Sequence, residues 1–390
     1  MIDSFEGVAR WVQTHRYRGY EPADGNSSLL YPLTFGRILP MRVLQQVVLR
    51  APFNIRPMIG VRPHESAIGR GYLAWGFLTR FRATGLDRWR QEAVTCLDWL
   101  MANRAPRYDE FCWGDPYDYA TRSGRRPYGE PLLIWSSLIG QAFLQAYEAT
   151  SDRRYLDVAR SIGAWILSLP RETTDHGTCL SYVAYRQSSI HNSNAMGAAF
   201  LARLSAATGD AEALAVARSA MEYTCSRQRV DGAWFYAEEA KFHWIDSFHT
   251  GYNLSALKIY RDATGDRSLD QSLQKGTAFY RDHFFEADGR AKYFHNATYP
   301  VDIQCAAQAI DTLATLSDEE PECLPIAMRV AEWTVRHMQA ADGHFYYRDL
   351  GWTTVKTPML HWGQGTMLKA LATLLAKLDA SPNGGREQGR

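Results

Sequence analysis

The sequence lacks the features that mark several common classes of protein. Its six cysteines are scattered singly, without a C-x-x-C pair or a histidine at the spacing of a metal finger, so we expect reduced thiols and no metal or cofactor. No segment approaches the roughly 18 apolar residues of a membrane span, and the first residues carry neither a basic start nor an apolar run. These absences predict a cytoplasmic protein without membrane insertion.

An excess of charge of one sign is also absent. The chain of 390 residues has 43 Lys and Arg against 42 Asp and Glu, which gives a net charge of +1. This balance gives no electrostatic reason to expect nucleic acid or a membrane surface as a partner, and we expect a monomer or homodimer. Aromatic residues are abundant, with 12 Trp and 21 Tyr, and such rings can stack on a partly polar ligand.

A short phrase recurs five times along the chain, as a turn followed by an amphipathic segment that contains an aromatic residue. The turns are Thr84-Gly85-Leu86-Asp87, Thr150-Ser151-Asp152, Thr208-Gly209-Asp210, Thr264-Gly265-Asp266 and Leu316-Ser317-Asp318. The aromatic residues are Trp99, Trp165, Tyr223, Tyr280 and Trp333, at spacings of 66, 58, 57 and 53 residues. A period of this size predicts a repeat architecture.

Apolar residues recur at helical spacing on both sides of each turn, which predicts two helices per repeat. The helices after the turns are amphipathic, as expected for an outer layer, and span 87–103, 152–168, 211–227, 267–284 and 322–339. The helices before the turns are apolar almost all round, as expected for an inner ring, and span 67–83, 131–149, 193–207, 248–263, 302–316 and 362–376.

Six inner and five outer helices leave one outer position, which segment 3–15 is predicted to fill, with a further helix at 37–49. The pattern therefore predicts an all-α fold, an (α/α)6 barrel, formed by a single domain over residues 1–378. Residues 1–53 hold the N-terminal closing helices of this domain. Residues 379–390 are rich in Gly and polar residues and are predicted to be a disordered tail.

The two kinds of connection differ in length. Turns from an inner to an outer helix have about three residues, whereas connections from an outer to an inner helix have roughly 20–30. Long structured loops are usually functional, and the start of a helix offers free N–H groups that favour an anionic or hydroxyl-rich ligand. We therefore predict the functional site at the N-terminal ends of the inner helices.

Three histidines fall at predicted starts of inner helices. Asp246 takes an N-cap position with His249 on the first turn behind it, and His361 and His191 take comparable places on other inner helices. Capping alone is sufficient to explain Asp246. Because imidazole changes charge near neutral pH, we predict His249 and His361 as acid and base, with Asp246 orienting His249 and with Tyr252 or His191 assisting.

The long connections also bring aromatic and polar side chains that suit a sugar, whose faces stack on rings while its hydroxyls pair with polar groups. The residues predicted to stack are Trp113, Tyr182, Tyr299, Trp352 and Trp362. Those predicted to bind hydroxyl or carboxylate groups are Asp115, Asp118, Arg122, Asn192, Asn194, Asp302, Arg348 and Gln364. Asp115, Asp118 and the pair Glu238-Glu239 are also candidates for the two carboxylates of a glycosidase.

The helical-hairpin repeat, with Trp, Tyr, His and Gln residues in its long loops, resembles the six-hairpin sugar enzymes. These include N-acylglucosamine 2-epimerases, unsaturated glucuronyl hydrolases and the helical domain of glucuronyl C5-epimerases. In the 2-epimerases two inner-helix histidines exchange the proton next to a carbonyl, and the resemblance implies this role for His249 and His361. The chain departs from that family in having His249-Thr250-Gly251-Tyr252 in place of H-P-G-H.

Three shorter phrases, at 54–57, 113–119 and 299–304, are similar to those of uncharacterised proteins encoded with bacterial polysaccharide-biosynthesis genes. The resemblance thus implies an enzyme of polysaccharide or glycan metabolism that binds a sugar or uronic acid, and epimerase-type proton transfer is the first hypothesis. One alternative is a glycoside hydrolase or uronyl lyase with Asp115, Asp118, Glu238 or Asp246 as its acid. The other is a non-catalytic glycan-binding protein, or an α-toroid that acts on prenyl substrates.

Overall fold

A computed structural model describes residues 1–122 and 124–380, and α-helices dominate these residues. The helices are α1 (Ile2–Thr14), α2 (Ile38–Arg50), α3 (Ala67–Thr84), α4 (Asp87–Ala102), α5 (Leu133–Thr150), α6 (Arg153–Ser168), α7 (His191–Thr208), α8 (Ala211–Ser226), α9 (Ser247–Thr264), α10 (Asp270–His283), α11 (Ile303–Leu316), α12 (Cys323–Met338) and α13 (Thr366–Ala380).

Short antiparallel strands lie in the long connections, which the all-helical pattern did not predict. They are β1 (Tyr119–Thr121), β2 (Gly124–Arg126), β3 (Arg171–Thr174), β4 (Gly177–Leu180), β5 (Val301–Asp302), β6 (Arg348–Asp349) and β7 (Thr354–Val355). β1 pairs with β2, β3 pairs with β4, and β6 lies between β5 and β7. These small sheets give the long connections a fixed shape at one end of the molecule.

The inner helices α3, α5, α7, α9, α11 and α13 pack side by side in chain order, and α13 returns to α3, so the ring is closed. The following helices cover the ring from outside. The last outer position is filled by α1, where Phe5 packs edge-on against Trp89 of α4 at 5.1 Å and Ser4 Oγ donates to Gln339 Oε1 after α12 at 2.6 Å. The predicted (α/α)6 barrel is confirmed.

The last inner helix differs from its prediction. Leu360–Gly365 forms a π-helical turn, and the regular α13 begins only at Thr366, four residues after the predicted start at 362. The helix then continues through Ala380, beyond the predicted domain end at 378, and residues 381–390 of the predicted tail lie outside the described residues. Single π-turns of this kind are frequent at functional sites.

The recurring Thr phrase has a local physical cause. At Thr208 the hydroxyl donates to Leu204 O (2.7 Å), and it accepts from the N–H of Asp210 (3.4 Å), which closes the inner helix. The intervening residue takes a left-handed conformation, as Gly209 does with φ of 77°. Asp210 then caps the outer helix through the N–H of Ala213 at 3.0 Å. One tripeptide therefore ends one helix and begins the next.

A second glycine turn packs the long connections against the outer helices. Gly289 has φ of 97°, and a Cβ there would lie 2.3 Å from the carbonyl oxygen of Arg329. Gly232 and Gly343 have φ of 92° and 98° and approach a neighbouring outer-helix backbone equally closely. Each of these connections therefore begins with a contact that only glycine permits.

Gly289→Ala is expected to destabilise the fold. A positive φ costs a non-glycine residue about 1–3 kcal/mol, and the clash with Arg329 adds roughly 1–3 kcal/mol of overpacking. Gly265→Ala is the matched control, because Gly265 has φ of 71° but no atom within 4 Å of the added methyl group. Urea unfolding of both variants measures the difference, and equal losses of unfolding free energy would contradict the close-packing explanation.

Two further observations concern the chain as a whole. In the described part of the chain, no helix combines the length and the hydrophobicity needed to cross a bilayer. All six cysteines are unpaired, and all but Cys225 are buried.

Candidate active site

His249 lies on the first turn of α9 and is held by the N-cap carboxylate of Asp246. Asp246 Oδ1 accepts from the backbone N–H of His249 (3.0 Å), and Oδ2 contacts His249 Nδ1 (2.7 Å). The indole of Trp244 donates to the same Oδ2 at 2.9 Å. Because a carboxylate only accepts hydrogen bonds, Nδ1 carries the proton and Nε2 is left for a ligand.

His361 lies on the π-helical turn and is held in the same way by Glu21. Glu21 Oε1 accepts from the backbone N–H of His361 (3.2 Å), and Oε2 accepts from His361 Nδ1. Glu21 comes from the segment after α1, which is fixed by backbone hydrogen bonds from Tyr20 N to Pro358 O and from Leu360 N to Tyr20 O. The two imidazoles therefore have the same arrangement, although their carboxylates come from different parts of the chain.

The buried carboxylate beside His361 is ionised. Glu21 is only 1% exposed, and burial alone would raise its pKa. The charge and hydrogen bond of His361 outweigh burial, so the pKa of Glu21 lies below its ordinary value. A fixed negative charge therefore lies behind the imidazole.

Aromatic rings connect the two imidazoles. The His361 ring lies 5.6 Å from Trp362, Trp362 lies 5.6 Å from Phe248, and Phe248 lies 3.9 Å from His249, measured between ring centroids. On the outer sides, Tyr236 packs 4.4 Å from His249. Trp135, at the start of α5, lies 5.8 Å from His361. The histidines thus lie in one aromatic-lined region at the N-terminal ends of the inner helices.

Asp302 orients the central tryptophan of this region. It caps α11 by accepting from the N–H of Gln304 (2.9 Å), and its Oδ1 also accepts from the indole of Trp362 (2.8 Å). Arg348 donates to the other carboxylate oxygen at 2.8 Å. The predicted ligand-binding residues Asp302 and Arg348 therefore bind each other, and together they fix Trp362.

A second buried ion pair, between Asp115 and Arg126, lies at the same end of the barrel as the histidines. We call this end the barrel mouth. The Arg126 guanidinium lies 4.3 Å from the ring of Tyr119. Burial raises the pKa of Tyr182, and the charge of the nearby Arg126 opposes this shift. Burial raises the pKa of Asp115 above its ordinary value, although Arg126 opposes this shift. Tyr182 and Asp115 thus lie among the residues of the mouth.

Asp118 has a different place. It accepts from the Tyr31 hydroxyl, from Arg125 at 2.5 Å and from the N–H of Tyr128 at 2.8 Å. Burial tends to raise its pKa, but these hydrogen bonds outweigh burial and hold the pKa below its ordinary value. Asp118 therefore ties the N-terminal segment to the loop before α5.

Three predicted ligand-binding residues anchor the loops instead. Trp113 is 1% exposed, and its indole donates to Leu100 O at 3.1 Å inside the barrel wall. The Asn194 amide accepts from Leu180 N and donates to Ala220 O, at 2.8 and 2.7 Å. Gln364 is bonded to the backbone of Phe345 and Met359 in the same way. Their polar atoms are engaged by the protein itself.

Three other predicted residues lie nearer to solvent. Trp352 is 75% exposed, and Tyr299 is partly exposed and accepts from Arg290 at 2.8 Å. Arg122 is exposed, lies 5.4 Å from the Trp244 ring and donates to a backbone carbonyl at 3.0 Å. The structure does not bring these side chains into contact with either imidazole.

His191, the third predicted histidine, is held through its other nitrogen. Its Nε2 lies 2.8 Å from Glu238 Oε1, and Nδ1 has no hydrogen-bond partner among the described residues. The hydrogen bond with His191 lowers the pKa of Glu238, although partial burial opposes the shift. His191 is therefore not equivalent to His249 and His361.

Several buried polar atoms at this end of the barrel have no hydrogen-bond partner in the part of the chain that the structure describes. They are His64 Nε2, Arg126 Nε, Asn192 Oδ1, Gln304 Oε1 and the Tyr347 hydroxyl. An unpaired buried polar atom costs about 1–3 kcal/mol, so such atoms usually meet a water or a ligand. The mouth therefore offers both donors and acceptors to a hydroxyl-rich molecule.

Tyr252 lines a cavity to which His249 and His361 do not contribute. Its hydroxyl accepts from Gln304 Nε2 at 2.7 Å and bonds to the Tyr72 hydroxyl, and burial raises its pKa above the ordinary value. The cavity has a volume of about 770 Å³ and is lined by the middle and C-terminal parts of the inner helices. Charged groups there pair with one another, as Lys369 does with Asp311 at 2.5 Å.

Residues 1–122 and 124–380 contain no cluster of three or more His, Cys, Asp or Glu side chains placed to hold a metal ion. The carboxylates nearest the histidines bind imidazole or guanidinium groups. The arrangement therefore offers proton donors and acceptors together with aromatic surfaces.

The sequence matches no protein-family model and no curated protein. The fold is similar to that of a cellobiose 2-epimerase from Bacillus thermoamylovorans, with 11% identity, a TM-score of 0.63, and coverage of 81% of this chain and 90% of that chain. It is also similar to that of a GH76 α-mannanase from Bacteroides thetaiotaomicron, with 14% identity, a TM-score of 0.60, and coverage of 80% of this chain and 85% of that chain. A third similar structure is an unsaturated glucuronyl hydrolase specific for heparin, with 13% identity, a TM-score of 0.58, and coverage of 82% of this chain and 88% of that chain. The resemblance to six-hairpin sugar enzymes is confirmed at the level of the fold.

Proposed function

We propose that the chain is a carbohydrate-active enzyme of bacterial polysaccharide or glycan metabolism, and that it moves a proton at a carbon next to a sugar carbonyl, as an epimerase does. One observation carries the proposal. His249 and His361 are held alike, each through Nδ1 and its backbone N–H, by a buried carboxylate. Such a pair supplies two groups that can exchange a proton from separate positions.

In the proposed reaction, Nε2 of one imidazole takes the proton from the carbon, and the electron pair of the C–H bond moves onto the carbonyl oxygen as an enolate. The other imidazole then delivers a proton to the opposite face of that carbon while the carbonyl re-forms. The carboxylate behind each histidine stabilises the imidazolium that forms in turn. Since either histidine can begin as the base, the same site serves both directions.

The surroundings support a sugar as the substrate. Trp362, Trp135 and Tyr236 flank the imidazoles and suit the C–H faces of a pyranose. Asn192 Oδ1 and Gln304 Oε1 are acceptors that have no hydrogen-bond partner among the described residues, and they suit its hydroxyls. The similar folds include proteins named as a cellobiose 2-epimerase and an unsaturated glucuronyl hydrolase, which supports the same class of substrate.

Trp362→Leu is expected to raise KM by about two- to tenfold, because contact with an aromatic ring contributes about 0.5–1.5 kcal/mol, and to change kcat less. Trp352→Leu is the matched control. Its ring is exposed and lies outside the contacts of the imidazoles. Steady-state kinetics on a reducing sugar distinguish the two tryptophans, and an equal rise in KM for both variants would count against the proposed position of the ligand.

A second candidate function is a glycoside hydrolase or lyase, and one observation favours it. Burial raises the pKa of Asp115, as expected for a carboxylic acid that protonates a leaving group. Mass spectrometry of a capsular or uronic-acid oligosaccharide after incubation separates the two functions. Epimerisation leaves the mass unchanged, whereas hydrolysis or elimination shortens the glycan. A shortened product would replace the proposed function with the second one.

A further inference from the structure

Large hydrophobic side chains are exposed together in one N-terminal segment. In the described part of the chain, ten of the eighteen exposed large hydrophobic residues lie within 29–58. The most exposed are Leu29, Leu33, Phe35, Leu39, Phe53 and Met58, at 61 to 83% of their surface, and we call them the N-terminal apolar surface. On a soluble monomer such residues are normally scattered, so a cluster indicates a surface that binds something.

Helix α2 is apolar on two opposite faces. Met41, Gln45 and Val48 are buried against the barrel, at the spacing of one helical stripe. Val43 and Val47 follow Leu39 on the opposite stripe, and both are more than half exposed. A helix at the protein surface normally places polar residues there. Its outward stripe is therefore suited to a second apolar environment.

The charge of this segment differs sharply from that of the whole chain. No Asp or Glu occurs between Asp24 and Glu65, whereas five arginines do. Arg56 is buried and pairs with Asp24 at 2.7 Å. Arg37, Arg50 and Arg62 are exposed and have no carboxylate within ion-pair distance among the described residues. The net charge of +1 conceals this segregation.

Apolar side chains flanked by unpaired arginines fit one kind of partner. A second copy of this surface would bring arginines against arginines, and an ordinary protein surface offers no extended apolar interior. An anionic lipid bilayer offers both an apolar interior and a negative face, and amphipathic helices bind it by lying in its plane. A helix of 13 residues such as α2 lies along a bilayer rather than across it.

We propose that the N-terminal apolar surface attaches the protein to anionic membranes. The surface is firmly joined to the rest of the molecule, since Asn26 donates to Asp118 O at 2.9 Å and Ala120 N donates to Gln45 Oε1 of α2 at 3.2 Å. Glu21, which holds His361, lies a few residues before this segment. Membrane attachment therefore places the barrel mouth beside the lipid headgroups, and this holds whatever reaction the mouth performs.

The test is flotation of the full chain with vesicles of phosphatidylcholine, with or without about one third phosphatidylglycerol. The wild type is expected to float with the anionic vesicles, to float less at high salt, and to stay in solution with the neutral ones. Leu39→Glu with Val43→Glu is expected to weaken binding by about tenfold or more, because it adds two negative charges to the outward stripe.

Leu86→Glu with Val230→Glu is the matched control, since both residues are exposed hydrophobics on other parts of the barrel. This variant is expected to bind as the wild type does. Arg37→Gln with Arg50→Gln keeps the apolar stripe and is expected to float less with the anionic vesicles, because two positive charges are removed. The proposal would be overturned if the wild type stayed in solution with both kinds of vesicle. It would also be overturned if the variant with Leu39→Glu and Val43→Glu floated as well as the wild type. A dimer in sedimentation that those changes abolish, without any vesicle binding, would overturn it too.

Discussion

Replacing His361 with Gln is expected to lower kcat for proton exchange on a reducing sugar by about 10²–10⁴-fold, the usual contribution of a general acid or base. Gln keeps a polar side chain near Glu21, so the expected loss comes from proton transfer rather than from a collapsed site. His249→Gln is expected to cause a loss of similar size, because its imidazole is bound to Asp246 in the same way. Stopped-time exchange assays on purified variants measure both effects.

The double variant separates a catalytic pair from two independent residues. Groups that act together lose most of their effect when either one is removed, so the double loss is expected to be well below the product of the single losses. His337→Gln is the matched control, since His337 lies on the outer helix α12 and bonds to its own backbone. Full turnover by either single variant at the mouth would remove the two histidines from the mechanism.

Glu21→Gln is the second substitution with a large expected effect. The amide keeps the size of the side chain but removes the negative charge behind His361, so we expect kcat to fall by roughly 10²-fold. The loss is expected in kcat rather than in KM, because Glu21 contacts the His361 imidazole and not the proposed ligand. Turnover at the wild-type rate in the variant would contradict this role of Glu21.

The pH dependence of the unfolding free energy tests the contact between Glu21 and His361 independently of activity. The pKa of Glu21 in the folded protein lies below its ordinary value of 4.5, so its contribution to stability is present above that pH and is lost as the pH falls through the lowered pKa. The difference in unfolding free energy between wild type and Glu21→Gln should therefore shrink on acidification. Glu65→Gln is a control, since Glu65 bonds to Arg70 and Trp99 instead. A constant difference down to low pH would contradict the ion pair.

The fold was predictable because its signals are local. The Thr turn needs only a hydroxyl, a left-handed residue and a capping Asp within three positions, as at Thr150, where the hydroxyl donates to Ala146 O and accepts from Asp152 N, and Asp152 caps the next helix. Each such turn separates one inner from one outer helix. The predicted helices accordingly agree with the structure to within a few residues, except where the π-helical turn delays α13.

The site was predictable only where its contacts are also local. Asp246 and His249 are three residues apart, so capping and imidazole contact follow from one helix start. Glu21 and His361 are 340 residues apart and meet only because the chain after α1 pairs with the segment before the π-helical turn. No pattern within either segment signals this contact. The shared geometry of the two histidines emerges only from the folded chain.

Residue type alone also failed to show the direction of a side chain. Trp113, Asn194 and Gln364 belong to the kinds of residue that bind sugars, yet their polar atoms fasten long loops to the helices. The same loops must satisfy their own buried backbone groups, and amides and indoles do that as well as they bind a ligand. The net charge of the whole chain is close to zero and therefore does not show that segment 25–64 contains arginines but no Asp or Glu.

The most direct test of the proposed function is deuterium exchange at carbon. Wild-type protein is incubated in D₂O with cellobiose, N-acetylglucosamine and a uronic-acid disaccharide, and the products are followed by NMR and mass spectrometry. The proposal predicts that one C–H next to the anomeric carbon exchanges, that the glycan keeps its length, and that His249→Gln and His361→Gln each slow the exchange by about 10²–10⁴-fold. Shortened glycans, or exchange at the wild-type rate in both variants, would contradict it.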